Sequence, residues 1–299
     1  MSGKVRFDKN SGYKGIVEFE KIKNDIIYYK NLGYNSIGFL GGDISIHPNI
    51  YEILEESKKA GFEEINIITN AMIFSDYEKV KKLVLSGATR VNISIHSHKE
   101  EIEDYLTQIK GGLKKKLKAI DNFNKLYKKG ILKSKISINI VLNKKNLSSI
   151  TKTCLYFYTI KNIKDIRINF VRPDLGMKEN FKNFVISYTE ILFEIKNLIY
   201  ISLKYNIRIT FDTIPICIFY KIIKNKYIID KFIGEKFDKI DEISDLSSGR
   251  KFEWKNKKTN ELKYKNENCN KCIYNISCQG IRKEYYNIYG DGEILPIIN

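Results

Sequence analysis

The first 153 residues of this 299-residue chain contain no cysteine; the five present are Cys154, Cys217, Cys269, Cys272 and Cys278. An odd number of thiols argues against a disulfide framework, and clustered thiols read better as metal ligands or redox groups. No apolar run of membrane-spanning length occurs either. The most apolar stretches, residues 191–203 and 214–223, are interrupted by charges, so no bilayer span is expected. The opening MSGKVRFDKNSGYKG is polar and lacks the apolar region of a secretory leader. A cytoplasmic location is the expectation, with no membrane partner. A dinucleotide fingerprint is missing as well, because no G-x-G-x-x-G follows a strand.

Positive charge, in contrast, is abundant. Fifty-two Lys and Arg face 35 Asp and Glu, for a net +17. Such an excess fits a polyanionic partner such as nucleic acid, or lysines scattered over solvated helix faces. Their dispersal favours the second reading. Local concentrations at residues 110–118 and 251–265 lack the interleaved aromatics that stack on single strands.

Short β-branched runs at residues 36–40, 65–69, 90–95, 136–142, 166–171 and 207–211 read as strands. Helical patterns lie between them, at residues 17–32, 49–60, 75–86, 113–128, 147–157 and 183–204. Gly33, Gly61, Gly87 and Gly130 stand where those helices should stop. Regular alternation of this kind implies parallel βαβ units, closed as a barrel or wound as an open sheet. The strands favour the barrel, since one face of residues 90–96 is Asn92, Ser94 and His96 while the other is Val91, Ile93 and Ile95. Polar groups near strand carboxyl ends suit a site at a barrel mouth. Past residue 211 the alternation stops. The division expected is a barrel-like domain over residues 1–211 and a cysteine-rich extension over residues 212–299.

Three strand ends carry polar residues. Gly41-Gly42-Asp43 follows the first strand, where two glycines let a ligand approach the backbone and the carboxylate can accept from an ammonium group. Taken alone, this is equally an ordinary βα turn. Thr69-Asn70 closes the second strand and Ser94-Ile95-His96 the third, and short polar groups there can hydrogen-bond ribose hydroxyls. Their coincidence at three consecutive strand ends is the informative feature.

The strongest local signal is Cys269-x2-Cys272-x5-Cys278. The C-x2-C pair can present two thiolates to one metal and the third cysteine can fold back. Zinc and an iron–sulfur cluster would each be served, and each needs a fourth ligand. Cys217 is the candidate, whereas Cys154 lies among apolar neighbours in a helical pattern and reads as a buried thiol.

Together these features resemble the radical S-adenosylmethionine (SAM) superfamily over nearly the whole chain. The resemblance rests on GFLGGDISIHPNI, IITNAMIFSD, VNISIHS and LTQIKGGLKKKLKAIDNF. It implies an α/β fold, a partial (β/α)6 TIM-like barrel lacking its first strand, with SAM as ligand. In that family a Gly-Gly-Glu motif binds the methionine amino group; here it is Gly41, Gly42 and Asp43, the Asp shortening the reach. Thr69, Asn70, Ser94 and His96 match positions lining the ribose and methionine side. Asn139 and Arg172 are weaker matches, Arg172 as a partner for the SAM carboxylate. The ending CNKCIYNISCQGIRKEYYNIYG is similar to SPASM or twitch extensions that carry an auxiliary [4Fe-4S] cluster, which would make Cys217, Cys269, Cys272 and Cys278 its ligands.

One departure is large. The family's C-x3-C-x2-C loop, which binds the SAM-cleaving cluster, has no counterpart, and MSGKVRFDKNSGYKG holds no convincing first strand. Two expectations compete: a truncated sequence whose loop lies upstream, favoured because the other motifs are kept together, or a degenerate, non-catalytic relative. By resemblance the substrate is a peptide or protein first and RNA second, with an electron donor if the chain is active. No catalytic acid or base is assigned.

Overall fold

The computed structural model describes residues 15–171, 183–237 and 240–298. Arg172 and residues 1–14, where a first strand was judged missing, lie outside the described residues.

Six strands form one sheet in the order of the chain: β1 (Ser36–Phe39), β2 (Glu64–Thr69), β3 (Arg90–Ser94), β4 (Ser137–Leu142), β5 (Asp165–Phe170) and β6 (Arg208–Asp212). The pairs β1–β2, β2–β3 and β3–β4 are parallel. A doubly wound sheet reverses its strand order at a switch point. This sheet never reverses, which is the order of a partial (β/α) barrel, so the fold class is the one expected. Each predicted strand is present, with ends shifted by at most one residue.

The connecting helices are α1 (Phe19–Asn31), α2 (Ile50–Lys59), α3 (Tyr77–Ser86), α4 (Glu100–Thr107), α5 (Gly112–Lys128), α6 (Ile150–Thr159) and α7 (Tyr188–Tyr205). The first, second, third and fifth stop just before the four glycines named above. Helix α4 was not anticipated. Neighbours in the series pack on each other, α1 on α2, α2 on α3 and α4 on α5.

The chain divides into two compact units. The first comprises Met1–Asn139, Tyr156–Asp165 and Ser244–Arg250. Its strands alternate between two faces. Ile65, Ile67, Val91, Ile93 and Ile138 are at most 1% exposed on one face, and each contributes about 1.5–3 kcal/mol by leaving water. Asn66, Asn92, Ser94 and Asn139 occupy the other, half-buried face.

The second unit comprises Ile140–Leu155, Ile166–Ile243 and Lys251–Asn299. A column of aromatic rings organises it: Phe170 lies 5.1 Å from Tyr188, which stacks at 4.1 Å on Tyr285, itself 4.9 Å from Tyr289. Past β6 come α8 (Ile216–Tyr220) and α9 (Lys226–Asp230), then β7 (Glu242–Asp245), β8 (Arg250–Glu253), α10 (Trp254–Lys257), β9 (Lys263–Tyr264), β10 (Ile281–Arg282) and α11 (Lys283–Tyr289). Strands β9 and β10 pair antiparallel. Gly280 permits that pairing: its φ is +79° and a Cβ there would meet the Tyr264 carbonyl oxygen at 2.2 Å.

Candidate functional site

In the first unit Gly41, Gly42, Asp43, Thr69, Asn70, Ser94 and His96 stand at the ends of β1, β2 and β3, and Asn139 lies within β4 opposite Ser94. Gly41 has φ +127°, a conformation that only glycine adopts without strain. Gly41 and Gly42 are exposed, and a Cβ added at either would meet nothing within 4 Å. Backbone that is both bare and unobstructed is what a ligand can approach.

Asp43 is also bound within the protein. Its carboxylate is 9% exposed and already accepts three hydrogen bonds within the protein. Oδ1 takes the Ser45 N–H at 3.0 Å and the Thr69 hydroxyl at 2.8 Å, and Oδ2 takes the Asn70 N–H at 2.9 Å. Asp43 thus joins the end of β1 to the end of β2, with one Oδ2 lone pair left for a ligand. Ala71 follows with φ +60°, a left-handed conformation uncommon for a residue with a side chain. Its N–H donates to Thr69 Oγ1 at 2.9 Å, and the Met72 N–H donates to Asn70 Oδ1 at 3.0 Å. Asn122, on α5, fastens the same loop by donating to the Phe74 and Ser75 carbonyls, both at 3.1 Å.

Ser94 stands opposite Asn139 across the β3–β4 pair, and the Ile95 N–H donates to the Asn139 carbonyl at 3.1 Å. His96 is half-buried, and its imidazole pKa is brought down to about 4. Burial is the main cause, with the Glu103 carboxylate opposing it and Lys116 reinforcing it. The ring is therefore neutral at pH 7, able to donate at one nitrogen and accept at the other.

Glu103 and Lys116 were not singled out in the sequence, yet they form a salt bridge at 2.7 Å with side chains 0% and 2% exposed. Lys116 falls within the lysine concentration at residues 110–118. A signal was present: on a helix it shares the apolar stripe of Leu113, Ile120 and Phe123, all buried.

In the second unit Cys217, Cys269, Cys272 and Cys278 line one cavity of about 20 Å³, together with Leu295 and Pro296. All four thiols are free. The turn Glu267–Lys271 begins at Asn266, whose Oδ1 accepts the Cys269 N–H at 3.1 Å. Backbone donors reach two sulfurs: the Gly280 N–H to Cys278 Sγ and the Ile297 N–H to Cys272 Sγ, both at 3.4 Å. Burial pushes the Cys217 thiol up to about 12, reinforced by the neighbouring Cys278 and Cys269 and opposed by a Leu295 backbone hydrogen bond. Burial also raises Cys269. Among the described residues, no group of three or more His, Cys, Asp or Glu stands close enough together to hold a metal ion. Cys154 lies elsewhere, 0% exposed on α6, with its thiol pKa raised by burial and by Glu194.

Strained backbone adjoins this region too. Thr213, directly after β6, has φ +67°, a marked outlier for a β-branched residue. Its carbonyl accepts the Tyr188 hydroxyl at 2.9 Å.

A model of the Radical SAM superfamily matches residues 4–156, just over half of the 299. The chain belongs to the radical SAM superfamily. Curated relatives include a probable GTP 3′,8-cyclase of Saccharolobus islandicus (strain M.14.25 / Kamchatka #1), 27% identical over 129 residues, covering 41% of this chain and 37% of the relative. Another is a probable GTP 3′,8-cyclase of Sulfurisphaera tokodaii, 29% identical over 119 residues, covering 40% of this chain and 35% of the relative. The match thus spans little more than a third of these relatives' length. Among solved structures, native anSMEcpe with bound AdoMet and a Kp18Cys peptide aligns with a TM-score of 0.53 at 19% identity, covering 66% of this chain and 56% of that one. That likeness concerns the fold.

Membership in the superfamily implies SAM and a [4Fe-4S] cluster. The stretch that matches offers one cysteine, Cys154, buried in α6, and so contains no three-thiol loop for the cluster that splits SAM. No helix among the described residues is long and apolar enough to cross a membrane.

Proposed function

We propose that the chain is a SAM-binding radical SAM protein that carries an auxiliary iron–sulfur cluster and acts on a peptide or protein. Gly41 and Gly42 would receive the methionine end through bare backbone, held in place by Asp43. Thr69, Asn70, Ser94, His96 and Asn139 would face the remainder, with Arg172 toward the carboxylate. The observation that carries this reading is the placement of Asp43, Thr69, Asn70, Ser94 and His96 at three consecutive strand ends, the first two joined through Asp43.

Cys217, Cys269, Cys272 and Cys278 would hold the auxiliary cluster in the manner of a twitch or SPASM extension, residues 212–299 forming that extension on a domain of residues 1–211. An all-sulfur donor set around one cavity supports it. When bound, such a cluster supplies one-electron chemistry or an open iron for a substrate, and an electron donor would then be a partner. The protein's part is to hold the ligands and exclude water.

The peptide-bound neighbour favours a peptide substrate; the GTP 3′,8-cyclase relatives favour a second reading, a nucleotide or RNA. A chain that binds SAM and a cluster without radical chemistry is the alternative to an enzyme. Calorimetry with SAM, followed by an anaerobic assay for 5′-deoxyadenosine, separates these. Micromolar binding lost in Gly41→Val is expected. Absence of any SAM binding by the wild-type chain would overturn the reading; binding without 5′-deoxyadenosine would favour the non-catalytic alternative.

A further inference from the structure

Glu103 and Lys116 are removed from water, and apart from the ion pair itself every side-chain hydrogen bond they make goes to the backbone of residues 94–97. Glu103 Oε1 accepts from Lys116 Nζ at 2.7 Å, while Oε2 accepts the His96 N–H at 2.7 Å and the Ser97 N–H at 2.9 Å. Lys116 Nζ also donates to the Ser94 carbonyl at 2.9 Å. Two side chains on α4 and α5 thereby fix three polar positions, Ser94, His96 and Ser97, at the end of β3. The Lys99 N–H donates to Ser97 Oγ at 3.0 Å and extends the network to the start of α4.

Stability alone does not account for the pair. A buried ion pair recovers little more than the cost of desolvating its charges, and apolar residues of the same volume are often as stable. What such residues could not do is hold the His96 and Ser97 N–H groups and the Ser94 carbonyl in set directions. We propose that Glu103 and Lys116 are positioning residues that hold the backbone of residues 94–97, and with it Ser94 and His96, in the geometry that receives SAM. This rests on the SAM-site reading above. Neither residue touches the ligand; each acts through the loop.

The test combines the wild-type chain with the charge-neutral double variant Glu103→Gln/Lys116→Met, which keeps both volumes and one acceptor oxygen. In the wild type, amide hydrogen exchange of His96 and Ser97 should be as slow as that of β3. In the double variant, near-UV circular dichroism should stay native and the melting point should remain close to wild type. SAM binding should nevertheless weaken about tenfold, the loss of one well-placed hydrogen bond. The His96 ring resonance, one of only three histidines in the chain, should move while that of His47 stays. Fast exchange at His96 and Ser97 in the wild type overturns the proposal, and so does a folded double variant with wild-type affinity and an unmoved His96. Should the double variant not fold, the wild-type exchange decides. Should the wild-type chain bind no SAM, the site reading has failed, and the exchange and resonance data, which need no ligand, still decide whether the pair holds the loop.

Discussion

At the strand ends of the first unit, Asp43 and Glu103 each accept three hydrogen bonds from the protein itself. Around the cysteine cavity of the second unit, Cys272 and Cys278 each receive one long backbone N–H, and burial raises the pKa of Cys217 and Cys269. The first region is organised before anything binds. The second holds thiols that become strong ligands only when a metal displaces their protons. One region is therefore set by carboxylates the fold has already satisfied; the other brings four free thiols to one cavity.

The contrast is broken most directly at the cysteines. Anaerobic reconstitution with iron and sulfide should load about four irons per chain, as a [4Fe-4S] cluster requires. Cys272→Ser should abolish that loading, and Cys217→Ser should do the same. Cys154→Ala should leave it intact, since that thiol is sealed within α6. Metal analysis returning one zinc in place of iron would overturn the cluster assignment and leave a tetrahedral site.

At the strand ends the expected effect is on folding. Asp43→Ala removes the acceptor for three donors at a position 9% exposed, at a cost of about 3 kcal/mol, because hydrogen bonds to a charged group are strong and their buried partners would be left unmet. Urea unfolding followed by circular dichroism measures it. A cost near zero would mean that the β1 and β2 ends are not joined through this carboxylate, and the preorganisation ascribed to the first region would fail.

Much of this was legible in the sequence. Short β-branched runs revealed all six strands of the main sheet, most of which alternate an apolar face with a largely polar one. The spacing of Cys269, Cys272 and Cys278 marked the loop that lines the cavity, whereas the place of Cys217 beside them depends on how the chain folds back. Helix α4 escaped because its sequence, EEIEDYLT, is half acidic and only two turns long. Its Glu103 looks like another surface carboxylate until Lys116 from the next helix meets it. That pairing is tertiary, and local pattern records only that Lys116 lies on an apolar stripe. The pairs β7–β8 and β9–β10 have strands of two to four residues, too short for alternation to register.

A subtler test sharpens the second region. Glu293 immediately precedes the segment that lines the cysteine cavity, where Ile294, Leu295 and Pro296 face the thiols. Its carboxylate accepts the Tyr188 and Thr189 N–H groups at 3.2 and 2.7 Å, capping the N-terminus of α7, and also accepts the Tyr285 hydroxyl. Burial would raise its pKa, but hydrogen bonds from Thr189, Tyr285 and Tyr188 outweigh burial and hold it below the ordinary range. Between that lowered value and about 4.3 the unfolded chain binds a proton that the folded chain does not, so stability rises with pH there. The contribution is fully present above about pH 4.3 and is lost as pH falls through the folded value. Glu293→Gln should therefore cost about 1 kcal/mol at pH 7, the usual worth of a cap. The gap from wild type should shrink as pH falls below about 4.3. Thermal melts of both proteins from pH 7 to pH 3 measure it. A constant gap would mean that the carboxylate's charge is not what anchors this segment, and the tie between α7 and the wall of the cysteine cavity would then rest on the stacked tyrosines alone.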